Sequence, residues 1–542
     1  MTSLRIAMAV PLAAFVAAAT AARAGDAKWG PYIDLEGKPG TQRNFGEADL
    51  FVPLAQGADS LLFTDIRTRL DDQGSREGNF GLGVRHMLES GWNLGGVGYF
   101  DRRRSPYGNF FDQTTLGAEA LSRDWDLRAN GYLPVGTDSR PVDSLNSATL
   151  SGASVVFRGG EERALSGFDA ELGWRVPVFA ADAGQQVRVY AGGYRFASDG
   201  VPEVAGPRGR AEIVFDAVPH LWEGSRLSLG AEIQHDAPRG TEAFGDIRLR
   251  IPLEVFGRPS STLTAQERRM EDPVIRDVDI VSQAGAYGPP ETATETASGQ
   301  SLTVVSSAST TGAGLPAAIA AAGANSTVIL SGSFSPTATT TLQSGQTVIG
   351  GGALVVRSPS GRTATLTLPG ATITGNVGLT NFTVAMAVNS TLEGMTINNT
   401  DNTGNNALAV GVKNISGVSI IGNTLNATVT GGGGSAQSVL VENTNGSDPM
   451  NSIIIRGNAI TASGNGLAAY AIQVNGGFWT VGGATLAGNT LSASGSGTND
   501  AVKLVSATVA TGSTGNVKSA GSCNDGGGNT GTMSFTDGSH CP

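Results

Sequence analysis

Few residues in this chain have the types and spacing for chemistry. In its C-terminal half, Glu442 with Asp448 is one local pair of acids, the kind of pair that general acid and base work on a glycan requires. Asp401 opens the stretch Asp401-Asn402-Thr403-Gly404-Asn405, which superficially suggests a Ca²⁺ loop. The other acidic ligands and the closing Glu of such a loop are missing. From Gly299 onward the acids are only Glu393, Asp401, Glu442, Asp448, Asp500, Asp525 and Asp537, too dispersed to pair further, so both candidates read as ordinary turn and surface groups. His86, His220 and His235 fall within or at the ends of alternating segments, and His540 is in the tail. No Gly-x-Ser-x-Gly elbow, phosphate loop or metal-spaced Cys/His cluster stands in a suitable context. No catalytic, cofactor-binding or metal-binding residue is assigned, no enzyme activity is expected, and no cofactor is implied. Cys523 and Cys541 flank a Gly-, Asn- and Asp-rich loop. In an exported chain they read as one disulfide; two free thiols, or half a metal site with His540, is the alternative.

The elements that would position these residues divide the chain in two. With 542 residues it exceeds one ordinary domain, and only seven of 47 acids and six of 36 basic residues lie after Gly299, so charge is concentrated in the first half. A formal net charge of −11 without a basic run argues against nucleic-acid binding. Arg5, the apolar Ile6 to Thr20 and Ala22-Arg23-Ala24 make a secretory signal peptide over 1–24. No later segment is long and apolar enough to be a membrane helix, so entry into a membrane requires a closed barrel.

Segments of roughly ten residues that alternate apolar with polar side chains come after the signal. In Leu62-Thr64-Ile66-Thr68-Leu70 one face is mostly apolar, and Asp65, Arg67 and Arg69 occupy the other. In Ile247-Leu249-Ile251-Leu253-Val255 one face is wholly aliphatic, opposite Asp246, Arg248, Arg250 and Glu254. A soluble sandwich has little reason to place so many charges on one face, whereas a lipid-facing exterior and a charged lumen produce this pattern. Asp65, Arg67, Arg248 and Arg250 are therefore expected in the lumen. Twelve strands are expected, at about 47–55, 60–70, 78–88, 92–102, 111–122, 125–135, 147–158, 166–178, 186–197, 206–217, 225–236 and 243–256, with 25–46 as a periplasmic lead-in; Trp29 to Glu36 as a further strand, which would disturb the count, is the alternative. Trp92, Tyr99, Tyr132, Trp174, Tyr190, Tyr194, Trp222 and Phe256 are candidates for interfacial aromatic girdles.

Leu61-Leu62-Phe63, Gly81-Leu82-Gly83-Val84-Arg85, Gly98-Tyr99-Phe100-Asp101, Leu116-Gly117-Ala118-Glu119 and Ala129-Asn130-Gly131-Tyr132-Leu133-Pro134 occur in this order. Together they resemble the translocator barrel of the inverse autotransporters, the intimin and invasin family. The resemblance covers about Trp29 to Gln283. It implies an outer-membrane barrel over 47–257, insertion by the outer-membrane barrel assembly machinery, contact with outer-membrane lipid, and a linker through the lumen. That linker would be 258–298: a charged helix over Leu263 to Glu271 capped by Thr262 or Thr264 and stopped by Pro273, then an extended stretch. Arg268, Arg269, Glu271, Arg276 and Asp277 would face the charged lumen.

Residues 299–542 read as a solenoid. Gly394-Met395-Thr396-Ile397, Gly422-Asn423-Thr424-Leu425, Gly457-Asn458-Ala459-Ile460 and Gly488-Asn489-Thr490-Leu491 recur at spacings of 28, 35 and 31 residues, as rungs of a parallel β-helix with loops of varying length would. Gly-Asn corners permit a left-handed backbone at the bends, and a short helix around Pro316 to Ala320 would cap the first rung. The pattern resembles pectate-lyase-like right-handed β-helices, without their catalytic motifs; a β-sandwich array is the alternative. The fold class is thus all-β, a twelve-stranded antiparallel transmembrane β-barrel followed by a parallel β-helix. The function this implies is export and surface display of the C-terminal half, for adhesion to an unknown surface ligand such as a glycan or matrix protein. A surface-displayed polysaccharide-degrading enzyme and a porin-like channel are the other readings.

Overall fold

The computed structural model describes residues 28–541 except 181–182, 217, 219–220, 222–223, 254–262, 278, 376–381, 445–448 and 477–480. The signal peptide, His220, Trp222, Glu254, Phe256, the 258–261 turn with Thr262, and Asp448 lie outside the described residues. Among the described residues, no helix is long and apolar enough to cross a membrane. The chain forms two units, one of residues 1–145 and 160–287, the other of residues 146–159 and 288–542.

The first unit is built on a closed antiparallel barrel of twelve strands. Seven come first: β1 (Tyr32–Lys38), β2 (Phe45–Gln56), β3 (Ser60–Asp71), β4 (Arg76–Met87), β5 (Asn93–Arg104), β6 (Phe110–Leu121) and β7 (Trp125–Val135). After the short strands β8 (Ser139–Pro141), β9 (Ser147–Ser151), β10 (Ser154–Arg158) and β11 (Glu161–Ala164), five more complete the wall: β12 (Ser166–Val176), β13 (Gln185–Ala197), β14 (Val204–Asp216), β15 (Arg226–Asp236) and β16 (Gly240–Pro252). Period-two alternation makes two faces of each strand. Leu62, Phe80, Leu82, Leu116, Leu172 and Ile247 are exposed, while Asp65, Arg67, Asn79, Asp101, Arg128 and Arg250 are buried inside. Charged groups thus fill the lumen and apolar ones meet lipid.

Three expectations require correction. Tyr32–Lys38, placed in a lead-in of residues 25–46, is a barrel strand that closes the wall, with Ile33 opposite Leu50 of β2 and Ile251 of β16. Residues 147–158, placed in the barrel, are instead a hairpin of the second unit. There β10 pairs with β9 and with β18 (Pro290–Ala293). Gly152, at φ +60°, supplies the left-handed corner that a two-residue hairpin loop needs and folds twelve residues of strand pattern back on themselves. The errors offset each other, so the count of twelve stands. A third correction concerns aromatics. Tyr99, Tyr132, Tyr190 and Tyr194 are buried in the lumen, where hydroxyls find polar partners: Tyr132 donates to Asp169 at 2.5 Å, Tyr190 to Glu212 at 2.5 Å and Tyr194 to Asp236 at 2.9 Å. Trp174 faces outward, 40% exposed, beside Trp125.

The second unit is built on a stack of parallel strands in two sheets, one of fourteen strands and one of seven, the arrangement of a β-helix. Vertical columns of aliphatic side chains fill it, such as Leu392, Ile420, Ile455 and Leu486, and Ile397, Leu425, Ile460 and Leu491. A helix over Leu315–Ala322 packs Leu315 and Ile319 on the first rung and covers a strand edge that would otherwise be open. At the corners, Gly394, Gly422, Gly457 and Gly488 take φ of +63 to +68°. The Asn that comes after three of them turns inward. Asn423, Asn458, Asn489 and Asn516 are buried, and each side-chain oxygen accepts the backbone N–H one rung before it, at 2.8 to 3.0 Å. Their amides donate to Leu392, Ile420, Ile455 and Leu486 carbonyls at 2.8 to 3.0 Å, so bends that sheet pairing leaves unsatisfied are bonded from within. The hairpin of β9 and β10 contributes Val155 and Phe157 to a separate apolar cluster with Ile329, Ile349, Val356 and Leu366.

Candidate functional site

The segment after the barrel begins as helix α1 (Ala265–Arg268). Thr264 caps it. Its hydroxyl accepts from the Glu267 N–H at 3.3 Å and Glu267 accepts from the Thr264 N–H at 2.8 Å, the reciprocal bonding that a Thr-x-x-Glu sequence permits. A 3₁₀ turn over Arg269–Glu271 comes next, and Pro273 prevents further helix. At the barrel end that holds its chain termini, Met270 and Val274 pack among Trp29, Tyr32, Phe51, Leu61, Phe63 and Tyr99. Trp29 donates its indole N–H to the Glu267 carbonyl at 2.9 Å, and Lys28 pairs with Glu267 at 2.6 Å.

From this collar onward to Val281 the described residues pair with no neighbouring strand, so their backbone groups must find other partners. Inward-facing side chains of the wall supply them. Arg85 donates to the Met270 carbonyl at 2.7 Å, Arg250 to Glu271 at 3.0 Å, Arg67 to Val274 at 2.8 Å and Asn130 to Ile275 at 3.2 Å, and Arg103 donates to Ile280. Glu77 and Tyr132 accept the N–H groups of Ile280 at 2.9 Å and Asp277 at 2.6 Å. The segment leaves the lumen as β17 (Ser282–Gly285), which pairs with β11.

Its charged side chains are matched as well. Arg269 pairs with Asp126 and Asp272, Arg226 with Asp272 at 2.9 Å, Arg276 with Asp101 at 2.9 Å, and Asp277 lies 3.6 Å from Arg208. Asp279 takes Arg43, and Arg69 at 3.4 Å. The four lumen residues named from sequence each sit in an ion pair of the wall: Asp65 with Arg67 at 2.8 Å, Arg250 with Asp34 at 3.0 Å, and Arg248 with Glu36. Glu271 accepts the Gly30 N–H at 3.1 Å. Arg268 enters no ion pair among the described residues, and its Nε has no hydrogen-bond partner. Near-neutral pairing of this kind is what permits so many charges to be buried, since an uncompensated one costs several kcal/mol.

Asp101, Asp126, Met270 and Val274 were missed from sequence. Parity carried a signal for the first two: Asn93, Tyr99, Asp101 and Arg103 share one face of β5, and Asp126, Arg128, Asn130 and Tyr132 one face of β7. Elsewhere, Glu442 pairs with Lys413 at 3.2 Å. The Asp401 carboxylate accepts from the N–H groups of Thr403 and Asn405, both at 2.9 Å, which makes it the closure of its own turn. No group of three potential metal ligands occurs among the described residues. Cys523 and Cys541 form a disulfide with Cα atoms 5.6 Å apart.

Residues 30–197 match the family model of the inverse autotransporter β-domain, a span from just before β1 to the end of β13. The barrel therefore carries an inverse autotransporter β-domain, and the chain is an outer-membrane protein with a translocator barrel. No curated protein matches it. Among solved structures it is similar to a chain from work on the in-meso crystallization of membrane proteins, at 15% identity and a TM-score of 0.33 over 47% of this chain and 99% of the other. It is also similar to the translocator domain of the autotransporter NalP from Neisseria meningitidis, at 9% identity and a TM-score of 0.22 over 45% and 94%. A third is the KdgM porin, at 8% identity and a TM-score of 0.24 over 40% and 97%.

Proposed function

We propose that this protein passes its own C-terminal unit through the barrel and displays it on the cell surface, for adhesion to an extracellular glycan or matrix protein. The observation that carries this reading is the course of residues 264–281. An even-stranded barrel returns its chain to the end where it began, which is the periplasmic end, and the segment then runs back along the inward faces of the wall, bonded to them by both backbone and charge. The chain beyond β17 emerges at the opposite, outer end. The pore-linker residues Arg269, Glu271, Arg276 and Asp277 hold the segment in place, while Asp65, Arg67, Arg248 and Arg250 form the surface it meets. Assembly machinery of the outer membrane and its lipids are the partners this topology requires.

A porin-like role is disfavoured by the same segment, which occupies the lumen that solutes would need. An enzymatic role is disfavoured by Glu442 and Asp401, whose carboxylates are taken by Lys413 and by the 401–405 turn. Deletion of 263–281 tests the proposal: protease added to intact cells should no longer reach residues 288–542, or planar bilayers should register a newly open channel. If the deletion variant displays the unit as well as wild type and conducts no better, the reading fails. Purified full-length protein on a glycan and matrix-protein array then tests adhesion separately.

A further inference from the structure

The outward face of the barrel carries an unusual pair at the end away from the chain termini. Arg76 of β4 and Arg104 of β5 stand directly opposite one another, and Gly78 opposes Arg102 one step along the same face. Like charges facing each other across an antiparallel pair repel, and directly opposed Cα atoms are only about 4.5–5.5 Å apart. Other outward arginines on this rim are matched. Arg102 pairs with Asp112 at 3.1 Å and lies 5.3 Å over the Phe110 ring, and Arg195 pairs with Glu203 at 2.7 Å. Arg76 and Arg104 have no acidic partner among the described residues, and Arg76 is exposed. Leu70, directly across from Arg76 on β3, is 41% exposed, and toward the middle of the wall the same face stays apolar, with the opposed Phe80 and Phe100 at 59% and 46% exposure. The two guanidinium groups thus stand where hydrocarbon gives way to headgroups, and in the turn beside them Tyr107 is 49% exposed, an amphipathic side chain suited to that depth.

We propose that Arg76 and Arg104 form a binding site for a phosphate of an outer-leaflet glycolipid. A phosphate between two guanidinium forks accepts paired N–H donors from each and removes the repulsion that the opposed charges otherwise carry. The neighbouring apolar face takes the acyl chains. This rests on the proposed topology, in which the end of the barrel away from its termini faces outward.

The test is native mass spectrometry of the full-length protein in detergent, titrated with bisphosphorylated lipid A and, in a second arm, with phosphatidylglycerol. Wild type should retain lipid A in preference to phosphatidylglycerol. R76Q/R104Q should bind it about fivefold more weakly per arginine removed, the effect of one cation at an anionic membrane surface, and R76K/R104K should recover part of the loss. R195Q, whose arginine already has a partner, should behave as wild type. Equal retention by wild type and R76Q/R104Q overturns the proposal, as does an equal loss in R195Q, which would mean bulk charge alone. Preference for phosphatidylglycerol overturns the glycolipid assignment. If R76Q/R104Q loses heat-modifiable gel mobility, R104Q alone carries the comparison. Sidedness is read independently: a cysteine in Y107C should react with a membrane-impermeant maleimide on intact cells, and failure to react refutes the topology without bearing on lipid retention by the purified protein.

Discussion

Arg276 and Asp101 form an ion pair in which neither side chain is exposed to solvent, with contacts of 2.9 and 3.2 Å between the guanidinium and the two carboxylate oxygens. They lie 175 residues apart in the chain, one on the threading segment and one on the wall. Arg276 also stacks over Tyr99, 4.2 Å from the ring centroid. The pair ties the segment to β5 in the middle of the lumen.

Removing one member strands the other. Asp101→Asn should destabilise the folded barrel by about 3–5 kcal/mol, the usual cost of an uncompensated buried charge. The measurement is the temperature at which heat-modifiable gel mobility is lost. Asp101→Asn with Arg276→Met should recover much of the deficit; a double-variant loss equal to the sum of the two single losses would mean that the two residues do not interact.

Phe157 offers a test in the second unit. It is fully buried beside Ile329, Ile349 and Leu366, although its sequence position is between barrel strands β7 and β12. Phe157→Ala should cost about 3–5 kcal/mol and expose residues 288–542 to protease. Barrel heat-modifiability should stay unchanged. A barrel that weakens instead would place the hairpin's energetic role in the wall.

The buried asparagine column predicts a steep contrast between neighbours. Asn458→Ala removes the acceptor of the Asn423 N–H and one donor to the Ile420 carbonyl and should cost about 1–3 kcal/mol. The side chain of Asn426, half-buried on the other face of the same strand, donates to Asn398 at 2.8 Å, and Asn426→Ala should stay within about 0.5 kcal/mol. Urea unfolding followed by protease sensitivity of the C-terminal unit compares them.

Asp401 gives this unit an acid-sensitive turn. Desolvation works against its charge, but the N–H groups of Asn405 and Thr403 prevail and hold its carboxyl below the usual aspartate range. A folded-state pKa below the unfolded one contributes stability that is present above the unfolded value, near 4, and lost as pH falls through the folded value. Asp401→Asn should therefore lower stability at neutral pH and flatten its decline on acidification below about pH 4. Parallel curves for the two proteins would remove Asp401 from the acid response.

How far these features were legible depends on which interactions are local. Leu62 to Leu70 and Ile247 to Val255 declare two faces because neighbouring side chains on a strand point opposite ways, and the barrel class comes from charge on one of them. Alternation does not say which sheet a strand joins, so residues 147–158 looked like wall. Tyr132 and Tyr194 looked like girdle residues because their buried hydroxyl partners, Asp169 and Asp236, are distant in sequence. The Gly-Asn corners were visible as backbone bends. That their asparagines form a bonded column depends on rung register, and the fourth member, Asn516, comes after Gly515 in a stretch where Val517 and Lys518 hide the repeat.

The hairpin of β9 and β10 also governs what a cut in the chain can do. The C-terminal unit is continuous with the remainder of the backbone at three places, 145–146, 159–160 and 287–288. A protease that severs only the last leaves β10 still paired to β18 through Val155, Val156, Phe157 and Arg158, with Phe157 still seated among its apolar neighbours. Such a nick separates the polypeptide into two pieces yet leaves the C-terminal piece clasped to the hairpin of the other, so their separation requires unfolding of the first rungs or further scission on both flanks of the hairpin.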